Sequence, residues 1–207
     1  MSSRVSVLAF VIVFVGARFV ARVAARRDPV TRGSSVIADR EDWRERLFLL
    51  LYLLGGLVSP LLALGPWLPG LRYALPDWVG WAGLVILLGA SVLHVRAIAD
   101  LGRNYSITMR VRDQQVLVTD GVYAWVRHPV YASLWLIALA QPLLVPHLVF
   151  GLSGFLGFAL LFSHRLPREE AMMTQIFGDA YRTYRKRVGG VFPKLSRHPT
   201  GSSSTPT

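Results

Sequence analysis

Apolar and polar positions in this chain segregate by whole segments rather than residue by residue. Three runs, Val5 to about Val23, Leu47 to about Trp67 and Trp78 to about Val95, are predominantly apolar. Each approaches the roughly 20 residues with which a helix crosses about 30 Å of hydrocarbon. A fourth stretch, Pro129 to Ser163, holds no Asp, Glu, Lys or Arg in 35 positions, too long for one crossing. The segment "QPLLVPH", residues 141 to 147, interrupts it with two prolines, which end or kink helices, so this stretch reads as a tight helical hairpin. The pattern predicts an all-α polytopic membrane protein with five transmembrane helices. Beyond them, Met172, Ile176, Ala180, Tyr184 and Val188, flanked by Met173, Phe177 and Tyr181, form an apolar stripe. Arg182, Arg185, Lys186 and Arg187 lie on the other face, which predicts a cytoplasmic amphipathic helix on the headgroups or over a pocket.

Charge orients this arrangement. All but Arg4, Arg18 and Arg72 of the 23 lysines and arginines fall in residues 22–46, 96–127 and 165–197. The positive-inside rule places those segments in the cytoplasm and the amino terminus outside. Arg18, Arg22, Arg26 and Arg27 stand where a signal peptide would carry its small uncharged cleavage region, so the first span reads as uncleaved. A net charge of +11 beside apolar spans fits anionic lipid headgroups and not nucleic acid. With no cysteine, disulfides, thiolate nucleophiles, cysteine zinc ligands and S-acylation are excluded. No metal site, dinucleotide fingerprint or phosphate loop is present in the sequence. Gly151, Gly154 and Gly157 recur on the fifth span and predict close helix packing.

The candidate chemistry gathers at two places. In "RHPVY", residues 127 to 131, Pro129 disfavours helix at His128 and suits the first helical position, so the fourth span begins there with its N–H groups facing outward. Upstream, "LVTDGVYAWV" contributes an Asp120-Gly121 turn, then Tyr123 and Trp125. "HRLPREEAMM", residues 164 to 173, follows the fifth span. Because the two spans form a hairpin, Arg127, His128 and Tyr131 are expected to meet Arg165, Glu169 and Glu170. Adjacent helical residues do not share a face, so one glutamate faces the gap, with Glu170 preferred over Glu169. His94 and Arg96 read as boundary anchors.

In this order the pieces resemble the isoprenylcysteine carboxyl methyltransferase family. The matching residues are "GRNYS", "LVTDGVYAWVRHPVY", Arg165 with "REE", "FGDAYRTYRKRV" and Pro193, spanning about residues 101 to 193. The resemblance implies a compact five-span enzyme that uses S-adenosylmethionine. It further implies methylation of the carboxylate of a prenylated cysteine, or in short prokaryotic relatives of another lipophilic acceptor. On that reading Glu170 or Glu169 takes the cofactor's ammonium, and His128 with the helix start at Pro129 takes its carboxylate. Tyr123 and Tyr131 lie against sulfonium or adenine, and Arg127 and Arg165 orient the acceptor carboxylate. Two positions depart from the family pattern. Ser133 stands where a glycine usually follows the second tyrosine, and Gly189 replaces a common proline.

The division expected is residues 1–100 for three transmembrane helices, 101–195 for the cofactor-binding core including hairpin 129–163, and 196–207 for a disordered tail. Three alternatives remain open at this stage. They are amine or thiol methylation, a nicotinamide-dependent sterol-type reductase with a similar Arg-His-Pro-x-Tyr segment, and a non-catalytic lipid-binding protein. The expected partners are membrane lipids and a lipophilic or prenylated acceptor, with the oligomeric state open. The membrane would be the inner membrane of a prokaryote or the endoplasmic reticulum of a eukaryote.

Overall fold

The computed structural model describes residues 3–26, 36–39, 42–102, 110–112 and 116–194. The helices are α1 (Ser3–Arg26), α2 (Trp43–Leu62), α3 (Asp77–Leu101), α4 (Pro129–Leu144) and α5 (Leu148–Arg187). All but α4 are long and apolar enough to cross a bilayer; α4, at 16 residues, is about 24 Å long. Residues such as Ile12, Val85 and Val92 remain 69 to 70% exposed on the outside of the bundle. Apolar residues in that position need hydrocarbon around them, and the chain is an integral membrane protein. Two short strands, β1 (Val36–Asp39) and β2 (Arg110–Arg112), pair antiparallel. They are an addition to the all-α reading, because segments of four and three residues carry no usable alternation.

α3 packs between α1 and α4, and α5 packs on α4 and α2, so the helices before residue 100 and those after it share one bundle. Its core joins Phe10 and Phe14 of α1, Tyr52 of α2, Leu87 of α3, Ile137 and Leu144 of α4, and Phe158 of α5. Helix α2 contains a π-helical turn, Leu54–Val58, which frees backbone carbonyls inside hydrocarbon. The buried Gln141 donates to the Gly55 carbonyl at 2.8 Å and to that of Phe150 at 2.9 Å, and Ser153 Oγ reaches Gly55 at 3.0 Å. These polar side chains keep the backbone satisfied where lipid cannot.

The glycines of α5 have the packing role expected of them. A Cβ at Gly157 would fall 2.8 Å from Tyr52 Cα, and one at Gly154 would strike Gln141. Gly157→Val is therefore predicted to destabilise the protein by about 1–3 kcal/mol through overpacking, measured as a lowered unfolding midpoint in detergent.

The hairpin is present, though only one of its two prolines makes it. Pro142 stays inside the last turns of α4, its carbonyl accepting from Tyr73 Oη at 2.6 Å. The turn is residues 145–147, where His147 Nδ1 caps α5 by accepting from Phe150 N at 3.3 Å. Helix α5 then continues from the membrane span straight into the segment read as a separate amphipathic helix. The uniform apolar stripe is corrected here. Gly178 adopts φ 52°, which interrupts the helix and resets its face. Met172, Tyr181 and Tyr184 are buried while Ile176 and Ala180 are exposed.

Candidate active site

The site begins where α4 begins. His128 holds φ −124°, ψ 60° ahead of Pro129, and Ala132 N donates to His128 O at 3.0 Å, so the chain enters its helix at the predicted residue. The preceding turn, Gly121–Ala124, is tied to α3 by Asp100, whose Oδ2 accepts from Val122 N at 2.9 Å. Gly121 has φ 59°, and any Cβ there would collide with that carboxylate. Arg96, read as a membrane anchor, holds Asp100 at 3.0 Å and so supports the turn.

Glu170 lies at the centre of the constellation. Its Oε1 accepts from His128 Nε2 at 2.7 Å and from Arg127 Nη2 at 3.0 Å and Nε at 3.3 Å. Its Oε2 lies 3.3 Å from Arg185 Nε in an ion pair but makes no hydrogen bond. Beside it the Tyr181 hydroxyl is buried and has no hydrogen-bond partner. The His128 hydrogen bond and the Arg127 guanidinium hold the Glu170 carboxyl down at about 2, against the opposing effect of burial. Burial and the neighbouring Glu170 charge push the Tyr181 phenol well up, so it stays protonated. A depressed carboxyl contributes stability above its ordinary value of 4.5 that is lost as pH falls toward 2. The unfolding midpoint should hold at neutral pH and drop across that acid window, and Glu170→Gln should flatten the drop.

Glu169 faces a different partner. It accepts a hydrogen bond from the Tyr131 hydroxyl, and Tyr131 is wedged against Phe162 with ring centroids 5.6 Å apart. Arg165 and Glu45 lie within electrostatic reach of the same hydroxyl. Arg165 Nε is 3.6 Å from Glu45 Oε1, and Glu45 is only 3% exposed. Sequence reasoning did not find Glu45. The signal was "DWRE", where Asp42 caps α2 by accepting from Glu45 N at 2.8 Å, an acidic pair inside a basic segment. His94, set aside as an anchor, is also buried, with Nδ1 2.9 Å from Ser133 Oγ. That contact gives the serine at this position a partner a glycine would lack.

The carboxyl-terminal segment latches the two halves together. Arg127 N donates to Gly189 O at 2.8 Å and His128 N to Gly190 O at 3.2 Å, in a short parallel bridge. Arg127 Nη1 also donates to the Val188 carbonyl, and Tyr184 Oη donates to Tyr123 O at 2.6 Å. A Cβ at Gly189 would run into the Phe192 carbonyl, which accounts for glycine there. Arg127, His128, Tyr131, Glu169 and Glu170 thus meet, with Arg165 on the Tyr131 side and Tyr123 behind the bridge. Of "GRNYS", residues 103–106 lie outside the described residues, as does the tail 196–207.

The model of the isoprenylcysteine carboxyl methyltransferase family matches residues 81–175, the stretch that carries "RHPVY" and the glutamate pair. The resemblance to that family is borne out. A protein-S-isoprenylcysteine O-methyltransferase of Schizosaccharomyces pombe is 36% identical over 105 residues, 50% of this chain and 44% of that protein. The protein of the same name from Homo sapiens is 30% identical over 113 residues, 54% of this chain and 40% of its own. In both, the match spans less than half the relative's length. The solved eukaryotic intramembrane Ras methyltransferase, an isoprenylcysteine carboxyl methyltransferase, superposes with TM-score 0.57 at 21% identity. The superposition covers 90% of this chain and 68% of that one, so the fold of this family extends beyond the matched sequence.

Proposed function

We propose that the chain is an S-adenosylmethionine-dependent methyltransferase that esterifies the carboxylate of a lipophilic acceptor of the isoprenylcysteine type. The observation that carries this reading is the meeting of Arg127 and His128 with Glu170, 42 and more residues apart in sequence, around a carboxylate oxygen and a phenol that lack hydrogen-bond partners. A zwitterionic cofactor needs such a set. Glu170 Oε2 and Tyr181 Oη accept from its ammonium, while His128 and the first N–H groups of α4 face its carboxylate. Tyr131 offers an aromatic face to a sulfonium or a purine, a contact worth roughly 0.5–2 kcal/mol for the cation, while Tyr123, buried behind the bridge, supports the wall from the α3 side through Ala97. When bound, the cofactor supplies a methyl group on sulfur, which passes to an acceptor oxygen and leaves a neutral thioether.

The residues then act by positioning. A carboxylate is already nucleophilic at neutral pH, so no strong base is needed, and fixing two reactants supplies about 7–11 kcal/mol of a barrier. Arg165, steadied by Glu45, orients the acceptor carboxylate through its planar fork. Arg127, whose nitrogens already face Glu170 and the Val188 and Arg185 carbonyls, contributes to this clamp chiefly by holding the pocket's shape. Glu169 fixes Tyr131. The acceptor's tail enters laterally between spans, and the cofactor arrives from the cytosolic side. The amino terminus lies outside, in the inner membrane of a prokaryote or the endoplasmic reticulum of a eukaryote; the clustering of Lys and Arg supports this topology.

The named relatives are methyltransferases, which favours methyl transfer over nicotinamide reduction or passive lipid binding. The test is to incubate membranes containing the protein with methyl-labelled S-adenosylmethionine and extract lipid and protein fractions. Base-labile label in a lipophilic ester supports the reading. Base-stable label, with a rate that falls as the pH is lowered because the acceptor must lose a proton to a general base, would assign amine methylation instead. No label above control membranes would overturn the reading.

A further inference from the structure

Helix α1 turns one face to the core, formed by Val7, Phe10, Phe14 and Ala21, and Arg18 interrupts that face at the next helical step. It sits 14 residues beyond Arg4 on a span that ends at Ala24, about 9 Å short of that end and one turn deeper than the exposed Arg22. Its head does not snorkel to the surface. Nη2 donates to Tyr52 Oη at 2.6 Å, and the guanidinium carbon lies 4.6 Å from the Phe14 ring centroid and 5.2 Å from that of Tyr52. Nε is buried without a hydrogen-bond partner. Among the described residues no carboxylate pairs with Arg18, and none accepts the Tyr52 hydroxyl proton.

The result is a donor-rich cluster, with the neutral Tyr52 oxygen as the acceptor for Arg18 and the buried His94 within electrostatic reach, in a medium where an uncompensated charge is costly. Two aromatic faces and one phenol soften that cost without neutralising the charge. We propose that Arg18 and Tyr52 form an intramembrane subsite for an oxyanion carried on a lipid chain, a carboxylate or a phosphate. The guanidinium edge and the phenol hydroxyl donate to it together. The subsite lies beside the proposed acceptor path, since Tyr52 packs on Phe158 at 5.3 Å and Phe158 on Tyr131 at 6.5 Å. The proposal stands on these contacts and does not depend on the methyl-transfer reading.

The test is the unfolding midpoint of the purified protein in an uncharged detergent. It is measured with oleate, with phosphatidylglycerol, and with oleyl alcohol and dioleoylglycerol as controls that lack an oxyanion. A ligand that binds the folded state well above its dissociation constant raises the midpoint, by roughly 4 °C or more for a chain of this size. Oleate or phosphatidylglycerol should do so, and which of them does assigns a carboxylate or a headgroup phosphate. The rise should vanish in Arg18→Met and persist in Arg22→Met, which alters an exposed arginine one turn away. If Arg18→Met does not fold, Tyr52→Phe, which keeps the ring packing, should show at least a halved response. An equal response to oleyl alcohol or dioleoylglycerol, an undiminished response in Arg18→Met or Tyr52→Phe, or no response to either anion overturns the proposal.

Discussion

Replacing Glu170 by glutamine is expected to weaken binding of S-adenosylhomocysteine by on the order of 30- to 100-fold, the loss that follows removal of one charged partner from a largely buried hydrogen-bonded cluster. Glutamine keeps the volume and one acceptor oxygen, so the shape of the site survives. What disappears is the charge that Arg127, His128 and Arg185 all address. Titration calorimetry on the purified protein reads this, with Glu169→Gln alongside. Because Glu169 faces Tyr131 instead of the Arg127 cluster, its variant should lose affinity only a few-fold. Equal losses in the two variants would show that the glutamates have been given the wrong roles.

The second large effect belongs to Arg165. Arg165→Ala should lower kcat by on the order of 100-fold or more, the scale on which single transition-state donors act, while cofactor affinity changes by less than about threefold. The substitution also leaves Glu45 buried beside a missing cation, so part of any loss is stability. Adding Glu45→Gln separates the two effects: the double variant should regain the unfolding midpoint and none of the turnover. Lysine at 165 should restore little, since it carries the charge without the fork. Turnover that recovers along with stability would reduce Arg165 to a scaffold.

Much of this architecture was legible in the sequence because lipid imposes a coarse rule. Five apolar helices and the helix start at Pro129 follow from length, charge and one proline. The meeting of Arg127 and His128 with Glu170 was also readable, since a hairpin must bring its own ends together. What escaped depends on contacts between residues remote in sequence. Glu45 became visible only when α2 packed on α5, and the bridge of Gly189 and Gly190 onto Arg127 and His128 is made by backbone, which side-chain patterns do not encode. The stripe on the last helical segment failed for a local reason. A regular 3.6-residue period was projected through Gly178, whose positive φ ends that regularity. Arg18 was read from its charge alone, as an argument against cleavage, although its spacing from Phe10 and Phe14 already turned it inward.

The claim on which the rest depends is that one small cation-bearing ligand sits between the start of α4 and the Glu170 stretch of α5. A structure solved with S-adenosylhomocysteine bound would measure it. The account predicts the ligand's ammonium within hydrogen-bonding distance of Glu170 Oε2 or Tyr181 Oη and its carboxylate against His128 and the first turn of α4. A ligand bound elsewhere, with neither Glu170 nor His128 in contact with it, would contradict the account.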